Sequence, residues 1–313
     1  AVTAAFDGTG TFTGNLGTAT TTVADSVTMT TTAAKATGKT INEAELENAT
    51  VVITALDQTL AADLSGITTN AVTAAFDADG TFTGNLGTAT TTVADSVTMT
   101  AAYNVLNGKT VNHDGSESAQ ALVVTIASAD AAADLSNITS DITNLTANFS
   151  ETQTFIGNLD SKTASVANDI TVTATAADVT GDTIAAAGNG NIAVTALHST
   201  LAADLSGLSS STGAVTAAFD GTGTFTGNLG TATTTVADSV TMTTTAAKAT
   251  GKTINEAELE NATVVITALD QTLAADLSGI TTNAVTAAFD GTGTFTGNLG
   301  TATTTVADSV TMT

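Results

Sequence analysis

The stretch AVTAAFDGTGTFTGNLG, residues 1–17, organises the whole sequence because it returns along the chain at nearly constant spacing. Residues 1–70 recur letter for letter as residues 214–283, and residues 284–313 repeat residues 1–30. Self-similarity at a fixed period is typical of stacked repeat architectures. We therefore expect the chain to be a window on a longer repetitive protein. The predicted repeat units are residues 1–70, 71–143, 144–213, 214–283 and a partial unit at 284–313.

The third unit is degenerate, and its drift shows which positions the fold constrains. Its two phenylalanines, Phe149 and Phe155, are six residues apart as in the other units, and Leu159 keeps the leucine that is Leu16 in the first unit. Polar letters around them change freely, which is typical of a buried apolar stripe. The length changes fall in two stretches, one after Ile41 and its counterparts and one after Ile67 and its counterparts. Insertions are tolerated where the backbone is solvated, so both stretches are predicted surface loops.

Between the loops, the composition favours strands. The segments Thr18–Thr30, Thr50–Leu56 and Ala71–Phe76 are rich in β-branched residues and are bounded by Gly, Asn and Asp. Only Thr31–Gly38 and Ile41–Ala49 have helical composition, and both are short enough to predict no more than about a turn.

Three strand-bearing stretches in a 70-residue unit predict a coil of roughly 23 residues, within the range of stacking repeats. The predicted fold is therefore all-β, a parallel β-solenoid with about three coils per unit. The absence of proline agrees with a continuous ladder, because every central N–H is then needed as a donor. The alternative is a series of tandem β-sandwich domains, which would need about seven strands per unit.

The strongly negative net charge limits the kinds of molecule that the chain is expected to bind. The chain has 30 Asp and Glu against six Lys, with no Arg and no Cys, and its formal net charge is −24. Nucleic acid and anionic membrane surfaces both require clustered cations, so neither is an expected partner. No run of about 18 apolar residues predicts insertion into a membrane. Cations are the expected small ligands, and self-association or a carbohydrate or cell-surface partner is expected for a repetitive chain.

Several motifs resemble the modules of very large, repetitive bacterial surface and adhesin-like proteins. They are ADLSGIT at residues 62–68, VADSVT at residues 23–28 and TAAKATGKTI at residues 32–41. The resemblance implies export to the cell surface of a prokaryote, parallel β-helical stacking, a structural or adhesive role and calcium. Nothing in the sequence matches the glycine- and aspartate-rich nonapeptide of calcium-binding rolls.

The Asp-Gly turns are the candidate metal sites. Carboxylate oxygens on a tight turn are the hard ligands that calcium prefers. Asp-Gly is also an ordinary turn signal, in which Asp bonds its own backbone. The invariant Asp63, Asp134, Asp204 and Asp276 fit either a turn cap or a ligand. The calcium candidates are Asp7, Asp77, Asp79, Asp220 and Asp290.

Few residues of the sequence are candidates for a catalytic site. The two histidines, His113 and His198, occur in different contexts and predict solvated positions. Glu45 and Glu47 lie in a length-variable loop, whereas acid–base catalysis needs a perturbed pKa in a pocket. We therefore expect no enzyme. An activity on polysaccharides is the least supported class.

Threonine suggests one further binding function. Thr-x-Thr runs such as TATTT at residues 18–22 can order water on a flat solenoid face, although TALDQ and TAAFD interrupt the array on other coils. The expected function is structural: a rod, filament or surface-layer segment outside the cell. The alternatives are a calcium-dependent adhesin stalk and an ice-binding face.

Overall fold

The structure is a computed structural model that describes residues 2–44, 48–115, 119–257 and 261–313. It is built mostly of strands, which lie in parallel sheets of up to seven strands. The prediction of an all-β parallel solenoid is confirmed. Every strand pairing described is parallel, so the antiparallel sandwich alternative is wrong. The chain divides into two compact units, residues 1–130 with 134–148 and residues 131–133 with 149–313.

Unit 1 carries three sheets. Their strand orders are β1-β3-β5-β7, β12-β10-β8-β6-β4-β2 and β14-β13-β11-β9. The strands are β1 (Thr3–Phe6), β2 (Gly10–Thr11), β3 (Thr20–Val23), β4 (Thr28–Thr32), β5 (Ile41–Glu43), β6 (Thr50–Thr54), β7 (Ile67–Thr68), β8 (Ala71–Phe76), β9 (Gly80–Phe82), β10 (Thr90–Val93), β11 (Thr98–Ala102), β12 (Val111–His113), β13 (Ala121–Ile126) and β14 (Asn144–Phe149), the last of which ends at the unit boundary.

Unit 2 has the same arrangement. Its strand orders are β16-β18-β20, β15-β17-β19-β21-β23-β25-β27 and β22-β24-β26-β28-β29. The strands are β15 (Gln153–Phe155), β16 (Thr163–Val166), β17 (Thr171–Thr175), β18 (Ile184–Ala186), β19 (Asn191–Thr195), β20 (Leu208–Ser210), β21 (Val215–Phe219), β22 (Gly223–Thr224), β23 (Thr233–Val236), β24 (Thr241–Thr245), β25 (Ile254–Glu256), β26 (Thr263–Thr267), β27 (Ile280–Thr281), β28 (Ala284–Phe289) and β29 (Thr303–Val306).

Helices are single turns at the corners between strands. The α-helices are α1 (Ala33–Ala36), α2 (Tyr103–Leu106), α3 (Ala176–Val179) and α4 (Ala246–Ala249). The 3-10 helices are Leu56–Gln58, Ser128–Asp130, Leu135–Asn137, Leu197–Ser199 and Leu269–Gln271. The turn predicted within Thr31–Gly38 is confirmed by α1. The helical turn predicted for Ile41–Ala49 is wrong at its start, because Ile41–Glu43 is the strand β5, and residues 45–47 lie outside the described residues.

The register between strands defines the coil. Gly10, Met29, Val51 and Val72 stack in one column of the six-stranded sheet, so three coils take 62 residues. A 70-residue repeat therefore holds three coils and eight further residues, slightly more than the sequence predicts. Consequently the equivalent strands of successive repeats lie in different sheets. For example, β1 is the first strand of one sheet of unit 1, and its counterpart β8 lies in another.

The strands form because their side chains alternate between core and surface, as half-buried strands do. In β4, Met29 and Thr31 face inward and are buried, while Thr28 and Thr30 are partly exposed. The predicted strand Thr18–Thr30 is two strands, β3 and β4. A turn separates them, in which Ser26 has a φ of 58°.

The core is a stack of apolar layers, as the drift of the third repeat predicts. Phe76, Phe82, Phe149, Phe155 and Phe219 are fully buried. The rings of Phe149 and Phe155 meet edge to face with their centroids 5.1 Å apart. The conserved six-residue spacing of the two phenylalanines therefore brings one ring against the next across a corner of the coil.

Candidate functional site

The candidate calcium ligands are all exposed at turns that follow strands. Asp7, Asp77, Asp220 and Asp290 each come directly after the phenylalanine that ends β1, β8, β21 or β28. The turns at Asp7, Asp77 and Asp220 lead to β2, β9 and β22, each the first strand of another sheet, whereas the next strand after Asp290 is β29, which pairs with β28. The geometry thus places the predicted carboxylates at corners of the coil, where they are open to solvent.

Asp77 lies among other carboxylates of unit 1. Its backbone N–H donates to Oδ1 of Asp57 on the preceding coil, with a distance of 3.3 Å. Partial burial raises the pKa of the Asp77 carboxyl, and the negative charges of Asp57 and Asp114 raise it further. Successive coils therefore stack acidic groups at this corner.

Asp79 has a structural role. Its Oδ1 accepts the backbone N–H of Thr98 at 2.7 Å. In other repeats a threonine hydroxyl accepts the same bond: Thr9 from Thr28, Thr152 from Thr171 and Thr222 from Thr241, each at 3.1 Å. The second Asp of the variant turn therefore replaces a threonine that locks one coil to the next.

The invariant aspartates are turn caps. Oδ1 of Asp63 accepts the backbone N–H of Ser65 at 3.0 Å and its hydroxyl at 2.6 Å. These bonds, the hydroxyl first, hold the pKa of the Asp63 carboxyl below its usual value. Asp134 and Asp276 bond the serine two residues on in the same way. The backbone of this turn is also tied down, because Asp63 N–H donates to Thr37 Oγ1 at 2.8 Å.

His198 and Asp220 form the one corner of unit 2 at which a histidine meets a predicted calcium ligand. His198 Nδ1 lies 2.5 Å from Asp220 Oδ1, and the Ser199 hydroxyl lies 3.2 Å from His198 Nε2. His198 occupies the place that Asp57 has in the first repeat, so a favourable pair replaces two stacked carboxylates. The order Asp, His, Ser is that of a hydrolytic triad. However, the N–H groups of Ser199 and Thr200 already donate to Ala196 and Leu197 carbonyls, which leaves neither free to hold an oxyanion.

His113 takes the place of Glu43 in the second repeat. Glu43 holds two coils together, since its carboxylate accepts the N–H groups of Ala49 and Asn70, both at 2.9 Å. At His113, Nδ1 accepts the N–H of Gly115 at 2.9 Å and Nε2 lies 3.5 Å from Asp141 Oδ2. A cavity of about 210 Å³ opens beside this pair. Glu45 and Glu47, the acidic pair of the loop after β5, lie outside the described residues.

Three of the six lysines each link two neighbouring coils by the same hydrogen bond, which the sequence does not indicate. Nζ of Lys39, Lys109 and Lys252 donates to the carbonyls of Gly17, Gly87 and Gly230 on the preceding coil, at 2.6, 2.5 and 2.6 Å. In the degenerate repeat Asp182 stands at the equivalent position, and burial raises the pKa of its carboxyl. The acceptor is a glycine with positive φ in each case. The shared spacing of 22 residues between donor and acceptor is the signal that could have identified these bonds.

Across the described residues, no group of three or more His, Asp or Glu side chains is placed to hold a metal ion. Calcium at Asp7, Asp77, Asp79, Asp220 and Asp290 stays a prediction. Among the same residues, no helix is long and apolar enough to span a bilayer. No protein-family model, curated protein or solved structure matches the chain.

Proposed function

We propose that the chain is a segment of an extracellular structural repeat protein that forms a rod, a filament or part of a surface layer. The observation that carries the proposal is the in-register stacking of successive coils within each unit. Gly10, Met29, Val51 and Val72 occupy one column, and each further coil adds a rung to the same ladders. A fold of this kind grows in one dimension, because each repeat contacts only its neighbours.

The distribution of charge supports a solvated structural element. In the described strands the only carboxylates are those of Glu43 and Glu256, at strand ends, and the other described aspartates and glutamates lie between strands, in turns or single-turn helices. The chain's net charge of −24 keeps it in solution and opposes unplanned pairing of strand edges. Self-association through repeated faces is expected to be heterologous, and such contacts extend into open assemblies.

Electron microscopy of purified protein tests the proposal. We compare the chain with a chain that contains twice the number of repeats. The proposal expects elongated particles whose length doubles and whose width stays constant. Compact particles whose diameter grows with the cube root of mass would contradict it. Surface labelling of the source cells tests the proposed location and a carbohydrate or cell-surface partner.

A calcium-dependent adhesin stalk is the second candidate. It is favoured by the adjacent carboxylates of Asp57 and Asp77, whose repulsion a bound cation would relieve. A ligand that binds only the folded state raises the melting temperature by mass action. A melting temperature that is the same in calcium and in chelator, at matched ionic strength, would remove this candidate.

A further inference from the structure

The outward side of one sheet in unit 1 has no charged side chain. The outward side chains of β2, β4, β6, β8, β10 and β12 form a surface that we call the threonine face. His113 at the end of β12 is not part of it, because it aligns with the buried Val93. Nine of its 13 positions are threonine, and the others are Val52, Ala71, Ala75 and Asn112. Asp57, Asp77 and Asp95 lie just beyond the ends of β6, β8 and β10, at the border of this sheet. The face is therefore neutral, whereas its rim is acidic.

The threonines stand in columns that the strand register fixes. The central column is Thr11, Thr30, Val52, Thr73 and Thr90 on successive strands. A second column is Thr28, Thr50 and Ala71, and a third contains Thr32 with Thr54 and then Ala75, Thr92 and Asn112. Strands repeat about every 4.8 Å, and residues on one side of a strand repeat about every 6.7 Å. The methyl and hydroxyl groups thus form a rectangular grid.

TALDQ and TAAFD interrupt this grid less than the sequence suggests. In TALDQ, Thr54 still faces outward beside Thr32. In TAAFD of the second repeat, Thr73 fills the central column, and only Ala75 lacks a hydroxyl. The replacements Val52, Ala71 and Ala75 are all uncharged and keep at least one methyl group. The face stays neutral across every coil it covers.

Most hydroxyls of the grid have no partner in the described part of the protein. Thr54 donates to the Thr31 carbonyl at 3.4 Å. No hydrogen bond joins the hydroxyls of Thr28, Thr30, Thr73, Thr90 or Thr92 to another described residue, and all five side chains are partly exposed. Their bonding capacity is therefore available to water or to a ligand.

Unit 2 carries the same face in a second copy. Its central column is Thr224, Thr243, Val265, Thr286 and Thr303, with the same single valine in the same place. Thr241 and Thr263 stand beside this column, as Thr28 and Thr50 do in unit 1. The grid is thus a reproducible product of the repeat.

We propose that the threonine face binds the surface of an ice crystal through water molecules that its grid holds in a repeating array. The partner must be neutral and periodic, because the face is uncharged and its hydroxyls recur on two fixed axes. A second copy of the chain fits less well, because face-to-face contact would bring two acidic rims together. A sugar polymer fits less well too, because the face has no aromatic side chain on which a sugar ring could stack.

The test measures how much protein enters slowly growing ice, relative to an acidic protein that does not bind ice. Three forms are compared: the natural chain, a face variant with Thr30→Lys, Thr73→Lys, Thr243→Lys and Thr286→Lys, and a turn variant with Thr13→Lys, Thr18→Lys, Thr88→Lys and Thr301→Lys. The two variants add the same charge. The turn variant uses exposed threonines for which no side-chain bond is described.

The natural chain and the turn variant are expected to be enriched several-fold in the ice, whereas the face variant falls to the level of the reference protein. Melting curves check that all three forms are folded. If the face variant does not fold, Thr→Val at the same four positions keeps the methyl groups and strand propensity, and its enrichment should still fall. Equal exclusion of the natural chain and the reference protein would overturn the proposal. So would equal enrichment of the face and turn variants, or retention of the natural chain on crystalline cellulose without enrichment in ice.

Discussion

At the residue scale, several inward threonines of the described chain have a hydroxyl that is buried without a partner; Thr244 is one, and most of the others share one repeat position. Thr21, Thr91 and Thr234 occupy equivalent positions, each at most 1% exposed, and no described group accepts or donates a bond to their Oγ1 atoms. A buried hydroxyl without a bond costs stability, typically about 1–3 kcal/mol. The degenerate repeat has Ala164 at this position, which agrees with a site that does not require the hydroxyl.

We predict that Thr91→Val stabilises the protein by about 1 kcal/mol, because valine has nearly the same shape and no hydroxyl to leave unbonded. The control is Thr31→Val, since Thr31 is as deeply buried but donates to the Phe12 carbonyl at 3.2 Å. That change should destabilise. Urea unfolding measures both free energies. Changes of the same sign in the two variants would contradict the prediction.

A second prediction at this scale concerns the stacked carboxylates Asp57 and Asp77. Because the pKa of Asp77 is raised, its carboxyl holds a proton more tightly in the folded chain than in the unfolded chain. This linkage contributes stability that is present below the unfolded pKa and is lost as the pH rises through the folded pKa. At neutral pH, the negative charge of Asp57 disfavours the negative charge of Asp77.

Asp57→Asn should therefore raise the stability at pH 7, by at most about 1 kcal/mol, the scale of exposed charge pairs. At pH 3 the Asp77 carboxyl, whose pKa is raised, is largely protonated, so the gain should shrink. Asp25→Asn removes one charge from another exposed turn of the same unit and measures the general effect of net charge. Melting temperatures of the three forms at both pH values provide the test. A gain that is the same for the two variants would rule out a specific repulsion.

At the element scale, the corners between strands depend on glycines where two coils touch. A Cβ on Gly84 would collide with the Ala62 carbonyl of the coil below, and Gly157 and Gly227 are confined in the same way by Ala133 and Ala203. By contrast, a Cβ on Gly8 would meet no atom within 4 Å. The Gly of the GNL motif is therefore a contact between coils at Gly84, Gly157 and Gly227. Gly8 of the first Asp-Gly turn faces open space, whereas Gly221 and Gly291 of the later turns lie against the side chains of His198 and Asp270.

Gly84→Ala is expected to destabilise unit 1 by about 1–3 kcal/mol, the usual cost of inserting a methyl group into a packed contact. Gly8→Ala is the matched control and should change the stability by much less. Chemical denaturation of the two variants measures the difference. A near-neutral Gly84→Ala would mean that the coils can separate at this corner without loss.

Most strands and core residues could be predicted from the repeats alone, and the features that were not predicted depend on local turns or on contacts between coils. The apolar letters that survive in the third repeat, such as Phe149 and Leu159, are buried, because every coil needs a filled core. The break inside Thr18–Thr30 was not predicted, although Asp25 and Ser26 are turn-forming residues, because the β-branched residues on both sides favour one long strand. The positive φ of Ser26 places the turn. The lysine bonds to glycine carbonyls were also not predicted, because they join residues whose proximity depends on the register between coils.

At the scale of the whole molecule, the 70-residue repeat and the coil do not coincide. Three coils take 62 residues, which is eight fewer than the repeat. The equivalent strand of the next repeat therefore lies in a different sheet. The sequence predicts the coil length to within a few residues, but it does not show this mismatch, because the mismatch depends on offsets of 17 to 26 residues between paired strands. The candidate calcium ligands are likewise predicted as turn residues. Whether they share an ion depends on contacts between coils.

Salt and calcium provide the last prediction, because charge is a property of the whole chain. The aspartates of successive coils lie at turns that stack at about the strand spacing of 4.8 Å, well inside the Debye length of about 10 Å at 0.1 M salt. With a net charge of −24, the folded chain should gain stability as sodium chloride increases from about 0.01 to 0.1 M. Thermal melts measure this gain. At equal ionic strength, the calcium stalk candidate expects a larger rise with calcium than with sodium, and it expects Asp77→Asn to remove the excess. Equal rises with both salts would leave screening as the sole effect and would rule out bound calcium.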